Sequence, residues 1–280
     1  MSPARMLPGL RRHFLFRLGA EFRSPQALAY GCLLPVFFLL AFGSVFRNDQ
    51  PLLWHKMGQL LTISILGGAC FGLPTALVAE RDRGVWRRYH LLPVPIGSLI
   101  ASAVAVRLVL LALAAVLQIV LARAIYGTPW PMHPVQAGIA FLFVAGTFLG
   151  LGLLIAALAD DAPAVQTLGQ FLFLPMIVIG GVGVPLAALP TWVQRIAGFM
   201  PGRYAVEVLQ SSFSNPDGLR GAGFGLVALV AIGGVATIVG IDRFRCDARA
   251  DAILFPRFWI TLALLSWAVV GVAALLTGRL

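Results

Sequence analysis

Long apolar stretches alternate with short polar segments along this chain of 280 residues, and seven of them take up roughly half of it. A helix needs about 20 consecutive apolar residues to cross the hydrocarbon core of a bilayer. Each stretch reaches about that length with at most one charged residue, so the pattern predicts an all-α polytopic membrane protein. The stretches are residues 27–46, 60–79, 96–122, 135–158, 165–184, 223–241 and 258–277.

The segment before the first stretch, residues 1–24, predicts an amphipathic helix that lies at the membrane surface. Apolar side chains recur there at spacings of three and four, with Arg12, His13 and Arg23 on the other side. Pro25 follows where this helix meets the first crossing, and a disordered basic tail is the alternative. The apolar positions are Leu7, Leu10, Phe14, Leu18 and Phe22.

Basic residues gather on one side of the predicted crossings. Lys and Arg in short loops favour the cytoplasmic side, and a cytoplasmic N-terminus places thirteen of them inside against seven outside. We therefore predict a bacterial plasma membrane protein with its N-terminus inside and, after seven crossings, its C-terminus outside. The excess of basic residues, a net charge of +10, then lies at the membrane edges beside lipid headgroups. Because these cations lie at the membrane edges, nucleic acid is not an expected partner.

Common catalytic motifs are missing from the chain. A P-loop needs a Lys on the nucleotide phosphates, but the single Lys, Lys56, lies in Trp54-His55-Lys56-Met57. Neither H-E-x-x-H nor G-x-S-x-G occurs, and no Cys or His spacing suits zinc. The adjacent Asp160 and Asp161 fit a helix cap better than a metal site. We therefore predict no catalytic site, metal or cofactor on this chain.

A polar segment after the second stretch, residues 80–95, predicts a docking element at the cytoplasmic face. Gly84 ends the helix that leaves the membrane, residues 85–92 form about two turns rich in aromatics and cations, and Pro93 and Pro95 turn the chain back. An ordinary positively charged loop is the alternative. The candidate residues are Glu80, Arg81, Arg83, Gly84, Trp86, Arg87 and Arg88, of which the last three are expected to make most of the contact.

A Gly- and Pro-rich segment after the fifth stretch, residues 185–212, predicts two short helices that dip into the outer leaflet. Pro190 fits the start of the first helix, and Pro201 with Gly202 breaks it before a second helix over residues 204–211. Non-helical backbone at membrane depth must be buried in protein or face water. The prominent residues are Pro185, Pro190, Trp192, Pro201, Tyr204 and Glu207.

Several of these motifs occur in the order and spacing of a known family. They are Phe22-Arg23-Ser24-Pro25, Leu34-Pro35, Phe42-Gly43, Glu80-Arg81-x-x-Gly84, Leu92-Pro93-Val94, Pro185-Leu186, Leu189-Pro190-x-Trp192, Pro201 and Tyr204-Ala205-Val206-Glu207. Over about residues 10–241 the combination resembles the type-2 ABC exporter permeases.

The resemblance implies a six-helix membrane domain over residues 25–241, which forms a homodimer or heterodimer and pairs with a separate ABC ATPase subunit that holds ATP and Mg. Residues 80–95 would be the coupling segment and residues 185–212 an outer gate. The substrate path would lie between two permeases, lined by the second and fifth helices. Its candidates are Gln59, Thr62, Gln166, Gln170 and Phe173. This chain departs from the family by adding a basic cytoplasmic loop and a seventh helix, residues 242–280.

We interpret the chain as the permease subunit of a bacterial ABC exporter for an amphiphilic substrate: drug-like, lipid or glycolipid. Amides beside Phe171 and Phe173 suit such a substrate better than a bare ion, although hydrogen bonding between helices is the alternative for each amide. Two other functions stay open: a permease for lipid-linked polysaccharide and a non-transporting membrane assembly factor.

Two charged residues need partners. Arg107 lies within the third apolar stretch, where a buried charge requires a counter-charge, and Asp160 or Glu21 is expected to supply it. Glu80 is expected to pair with Arg83 or with backbone near Gly84.

Overall fold

A computed structural model describes residues 14–23, 33–45, 53–89, 96–186, 189–244 and 256–277. Within these ranges every regular element is a helix, as the apolar pattern predicts. Several predictions lie outside the described residues: those on Leu7, Leu10, Arg12, His13, Pro25, Pro93 and Pro95, and that on the basic loop over 245–255.

The helices of the described ranges are labelled here in chain order. They are α1 (14–22), α2 (Leu34–Val45), α3 (Trp54–Asp82), α4 (Val85–Tyr89), α5 (Ile96–Tyr126), α6 (Pro134–Leu158), α7 (Ala162–Val178), α8 (Thr191–Ala197), α9 (Pro201–Ser214), α10 (Gly223–Arg243) and α11 (Pro256–Leu276). By length and composition, α3, α5, α6 and α10 are able to cross a membrane. Shorter apolar helices occur in α2, α7 and α11, so each predicted stretch coincides with an apolar helix.

Local sequence explains where these helices begin and end. Pro134 and Pro201 occupy the first turns of α6 and α9, where a missing N–H costs nothing. Asp161 caps α7, because its side chain accepts a hydrogen bond of 2.8 Å from the Ala164 N–H. The same helix ends at Val178, six residues before the predicted stretch does, and Gly181 follows with a φ of 74° that favours glycine.

α3 is the most buried of the long helices and it is not uniform. It opens with a 3₁₀ turn at Trp54–Lys56 and contains a π turn at Gly68–Gly72. Neighbouring helices approach this π turn closely, since Gly152 of α6 and Gly169 of α7 leave no room there for a side chain. A π turn within an α-helix often accompanies a functional position.

α6 and α10 form the centre of the bundle. Gly150 of α6 lies against Thr237, and Gly233 of α10 lies against Thr147. The Thr147 hydroxyl also donates a hydrogen bond of 2.9 Å to the Leu229 carbonyl across the helix pair. Small residues with an interhelical hydrogen bond are the usual means of close packing between helices in a membrane.

The last described helix, α11, packs on the outside of this centre. It lies against α10, and its Gly271 lies directly beside the Phe199 ring in the turn between α8 and α9. The helix that departs from the family pattern is therefore in contact with the segment predicted to form the outer gate.

Candidate functional site

The predicted coupling segment, residues 80–95, includes the last residues of α3 and leaves that helix through a tight turn. Gly84 adopts a φ of 70°, the left-handed conformation that ends helices and that glycine tolerates best. The short helix α4 follows, and its Trp86 is fully buried, with its ring 4.9 Å from the Phe244 ring in an edge-to-face contact. The expectation that Trp86 itself contacts a partner is therefore revised, because the indole fixes α4 to the end of α10.

Two other cations of the segment are exposed. Arg83 and Arg88 lie at the surface on either side of the buried indole. The Arg87 side chain lies outside the described residues. Trp86 therefore sets the position of α4, while Arg83 and Arg88 carry positive charge on its free surface.

Glu80 pairs with the N-terminal helix and not with Arg83 as predicted. Its carboxylate lies 2.7 Å from a guanidinium nitrogen of Arg17 on α1. Both side chains are largely buried, which strengthens an ion pair relative to one in water. The prediction was wrong because Arg83 lies beyond the end of α3, while α1 passes beside the last turn.

The buried Arg107 pairs with Glu21, one of its two predicted partners. The guanidinium lies 3.3 Å from the Glu21 carboxylate and donates a hydrogen bond of 2.7 Å to the Gly72 carbonyl in the π turn of α3. Arg17 and Glu21 lie four residues apart on α1, so one face of that helix holds both α3 and α5 by charge.

Asp160, the other predicted partner, lies elsewhere. Arg81 donates hydrogen bonds of 2.7 and 2.9 Å to the carbonyls of Ala159 and Asp160, in the turn between α6 and α7. The last turn of α3 is thus attached to α1 through Glu80 and to the start of α7 through Arg81.

The opposite end of α3 is attached to α9. The Gln210 amide oxygen accepts a hydrogen bond of 2.8 Å from the Gly58 N–H, and its nitrogen donates to the Trp54 carbonyl at 3.1 Å. The first contact satisfies an N–H group that a helix start would leave unpaired. Gln59 adds a hydrogen bond of 2.8 Å to the Gly181 carbonyl, in the loop before α8.

The residues predicted for the outer gate differ in burial. Pro201 and Tyr204 are buried, and the Tyr204 hydroxyl donates a hydrogen bond to the Gly198 carbonyl, which joins the two short helices. Pro190, Trp192 and Glu207 are exposed, whereas Pro185 is half-buried in the preceding loop. The predicted short helices are present as α8 and α9, although α9 begins three residues earlier than predicted and ends three later.

The residues predicted for the substrate path are not all brought together. Gln59 and Thr62 are buried inside the protomer, whereas Gln166 and Gln170 are exposed on α7 beside Phe171. Phe173 is half-buried on α7, with its ring 5.4 Å from that of Phe71 in the π turn. Gln59 Oε1 is buried and has no hydrogen-bond partner among the described residues.

Sequence reasoning missed Arg17, Gln210 and Phe244 as contacts of this site. Arg17 was counted only as a positive charge near the membrane, and its spacing of four from Glu21 was the available signal. Gln210 lies in the short helix predicted over residues 204–211, and its side-chain amide, which both donates and accepts hydrogen bonds, was the available signal. Phe244 carried no recognisable signal.

Comparison with known proteins identifies the family. The sequence profile described as ABC-2 type transporter matches residues 12–214, which is more than half of the chain. A putative transport permease, ycf38, of Porphyra purpurea is 28% identical over 207 residues, which cover 70% of each chain. The inner membrane transport permease YhhJ of Escherichia coli K12 is 27% identical over 183 residues, and this match covers 61% of the present chain and 46% of YhhJ.

The matched region begins within the N-terminal basic segment and ends with α9. It therefore includes α1 with its two ion pairs, the coupling segment and the two short helices after α7. This chain belongs to the ABC-2 type transporter family.

Proposed function

We propose that this chain is the membrane-spanning permease subunit of a bacterial ABC exporter, and that a separate ATPase subunit drives it. The observation that carries the proposal is the double attachment of α3. One helix of 29 residues runs into the coupling segment at its last turn, where Glu80 is bonded to α1, and is bonded to α9 through its first turn. Movement at the coupling segment would therefore reach the outer helices along a single continuous element.

Exposed charge on the coupling segment suits a docking partner. Trp86 and Phe244 hold α4 in place, and Arg83 and Arg88 remain at the surface for contact. Arg is among the residue types that most often dominate protein interfaces. The ATPase subunit would bind this surface and move α3 through it when ATP is hydrolysed.

The exposed face of α7 suits a path between two permeases. Phe171, Leu174 and Val178 are exposed there together with Gln166 and Gln170. A surface that mixes apolar side chains with uncharged amides accommodates an amphiphile, because the amides bond its polar part while the remaining side chains contact its apolar part. A homodimer or heterodimer joined along this face would enclose an amphiphilic substrate on its way outward.

Co-purification from the native membrane tests the proposal. A tagged chain, extracted in mild detergent, should retain an ATPase subunit and hydrolyse ATP, while the chain produced alone should show no ATP hydrolysis. The double variant Arg83→Ala with Arg88→Ala should lose the ATPase subunit, since Arg is enriched among the interface residues whose truncation costs more than about 1 kcal/mol.

Arg195→Ala is the matched control, because Arg195 is an exposed cation on α8, far along the chain from the coupling segment. It should retain the ATPase subunit fully. Retention of the subunit by the double variant would contradict the docking assignment. Failure of the wild-type chain to bring down any ATPase would contradict the exporter proposal and favour an assembly factor.

A further inference from the structure

An apolar groove lies beside the end of α5, away from α7 and the coupling segment. It encloses a cavity of about 430 Å³ between α5, α6 and α9, a size within the usual range of small-molecule pockets of about 300–1,000 Å³. Residues that line it include Val116, Val120, Trp130, Gly138, Phe141 and Phe213.

The groove faces the membrane. Val116 and Val120 are exposed on α5, and Gly138 is exposed on α6. Both helices are long and apolar enough to span a bilayer. A concave apolar surface on such helices is in contact with the hydrocarbon chains of lipids.

A cation, Arg123, lies at one end of the groove. Arg123 follows Val120 by three residues and Val116 by seven, so it continues the same face of α5. Its guanidinium lies over the Trp130 ring, 5.1 Å from the ring centroid, and donates a hydrogen bond of 3.3 Å to the Thr128 carbonyl. Two contacts thus hold an exposed guanidinium beside Trp130, which itself lines the groove.

The chemistry of this cation suits a phosphate group. A guanidinium has five N–H donors in a fixed plane, and the Thr128 carbonyl takes one of them. Arg binds phosphate with two parallel hydrogen bonds. Trp and Arg also concentrate at the level of lipid headgroups, where apolar and polar environments meet.

We propose that this groove is a binding site for one phospholipid. An acyl chain occupies the apolar groove along Val116 and Val120, and the lipid phosphate binds Arg123 beside Trp130. The apolar lining of the groove and the cation beside Trp130 account together for a phospholipid better than for a purely apolar molecule. The site does not depend on the transport role proposed above, because no residue of the coupling segment or of α7 lines it.

Native mass spectrometry of the full chain in mild detergent tests this proposal. The probes are phosphatidylglycerol and a diacylglycerol with the same two acyl chains but no phosphate. Arg123→Gln should weaken the binding of phosphatidylglycerol by about tenfold, since it removes a charge-assisted contact, and should leave diacylglycerol unchanged.

The second variant fills the groove. Gly138 lines the groove and has open space around the position of a Cβ, so Gly138→Leu should reduce the binding of both lipids without disturbing the fold. Gly146→Leu is the matched control, because Gly146 lies two turns further along α6, is equally free of contacts and does not line the groove. Arg195→Gln controls for the loss of a positive charge, and both controls should bind as the wild type does.

Equal retention of phosphatidylglycerol by wild type and Arg123→Gln would overturn the proposal. So would unchanged lipid binding in Gly138→Leu. A change of oligomeric state in Gly138→Leu with normal lipid retention would also overturn it, because the groove would then be an interface between copies of the chain.

Discussion

At the scale of single residues, the ion pair between Glu80 and Arg17 is expected to contribute most to the stability of the fold. Both side chains are largely buried, with 25% and 8% of their surface exposed. Glu80→Gln keeps the shape of the side chain but leaves the Arg17 charge without its counter-charge. Because breaking a buried pair costs about 3–5 kcal/mol, we expect a clearly lower melting temperature for the purified protein in detergent.

The pair between Arg243 and Asp242 serves as the control for this experiment. Its two side chains are 34% and 60% exposed, so Asp242→Asn should change stability by less than about 1 kcal/mol. In a double-mutant cycle, Arg17→Gln combined with Glu80→Gln should cost less than the sum of the single variants. Additive effects would mean that the two residues act independently.

Local sequence patterns predicted the helix caps and turns of this site better than its ion pairs. Gly84 and Asp161 follow local rules, in which a left-handed glycine ends a helix and an aspartate begins one, and both were predicted. Arg17 and Glu80 are separated by more than sixty residues, so their contact depends on how α1 lies against α3. No local pattern contains that information, and the nearer Arg83 was chosen wrongly.

At the scale of elements, α4 depends on one aromatic contact. The helix is only five residues long, so its own backbone hydrogen bonds give it little stability. Trp86→Ala removes a fully buried side chain, a change that typically costs about 3–5 kcal/mol. Since α4 lies at the surface end of the bundle, we expect local detachment, seen as faster tryptic cleavage at Arg83 and Arg88 in the purified protein.

Trp86→Phe should restore much of the protection, because a smaller ring can still reach Phe244. Membrane insertion should be normal in both variants. If Trp86→Ala is cleaved at the wild-type rate, the indole does not hold α4 and another contact must do so.

The packing of α11 gives a second prediction at the scale of elements. A side chain on Gly271 would meet the Phe199 ring at less than contact distance, so Gly271→Leu should push α11 away from the turn between α8 and α9. We expect lower thermal stability and altered reactivity of a cysteine placed at position 192 on α8. Gly234→Leu on α10 is the control, because a Cβ there meets nothing within 4 Å.

Element positions were the most predictable part of the fold. Every predicted apolar stretch contains a helix, because continuous apolar sequence has few other stable forms in a membrane. The contacts between elements were less predictable. The packing of α6 on α10 depends on Gly150, Gly233 and Gly240, whereas Gly146, four residues before Gly150, faces open space.

At the scale of the whole molecule, the arrangement consists of a buried α3 with an attachment at each end. Its first turn is bonded to α9 by Gln210, and its last turn is bonded to α1 and to the start of α7. Both attachments come from partly or fully buried polar groups in an otherwise apolar bundle, where such contacts are specific because few alternative partners exist. This organisation suits a helix that transmits movement from its last turn to its first turn.

The last prediction concerns the course of the chain across the membrane. Thirteen basic residues against seven favour a cytoplasmic N-terminus, and α11 contains the apolar helix Leu264–Leu276. With α11 as the seventh crossing, a reporter enzyme active only outside the cytoplasm should work when fused after Leu280. The same reporter should be inactive after Arg245, which precedes α11. Activity after Arg245 would reverse the orientation, and inactivity at both positions would mean that α11 lies along the membrane without crossing it.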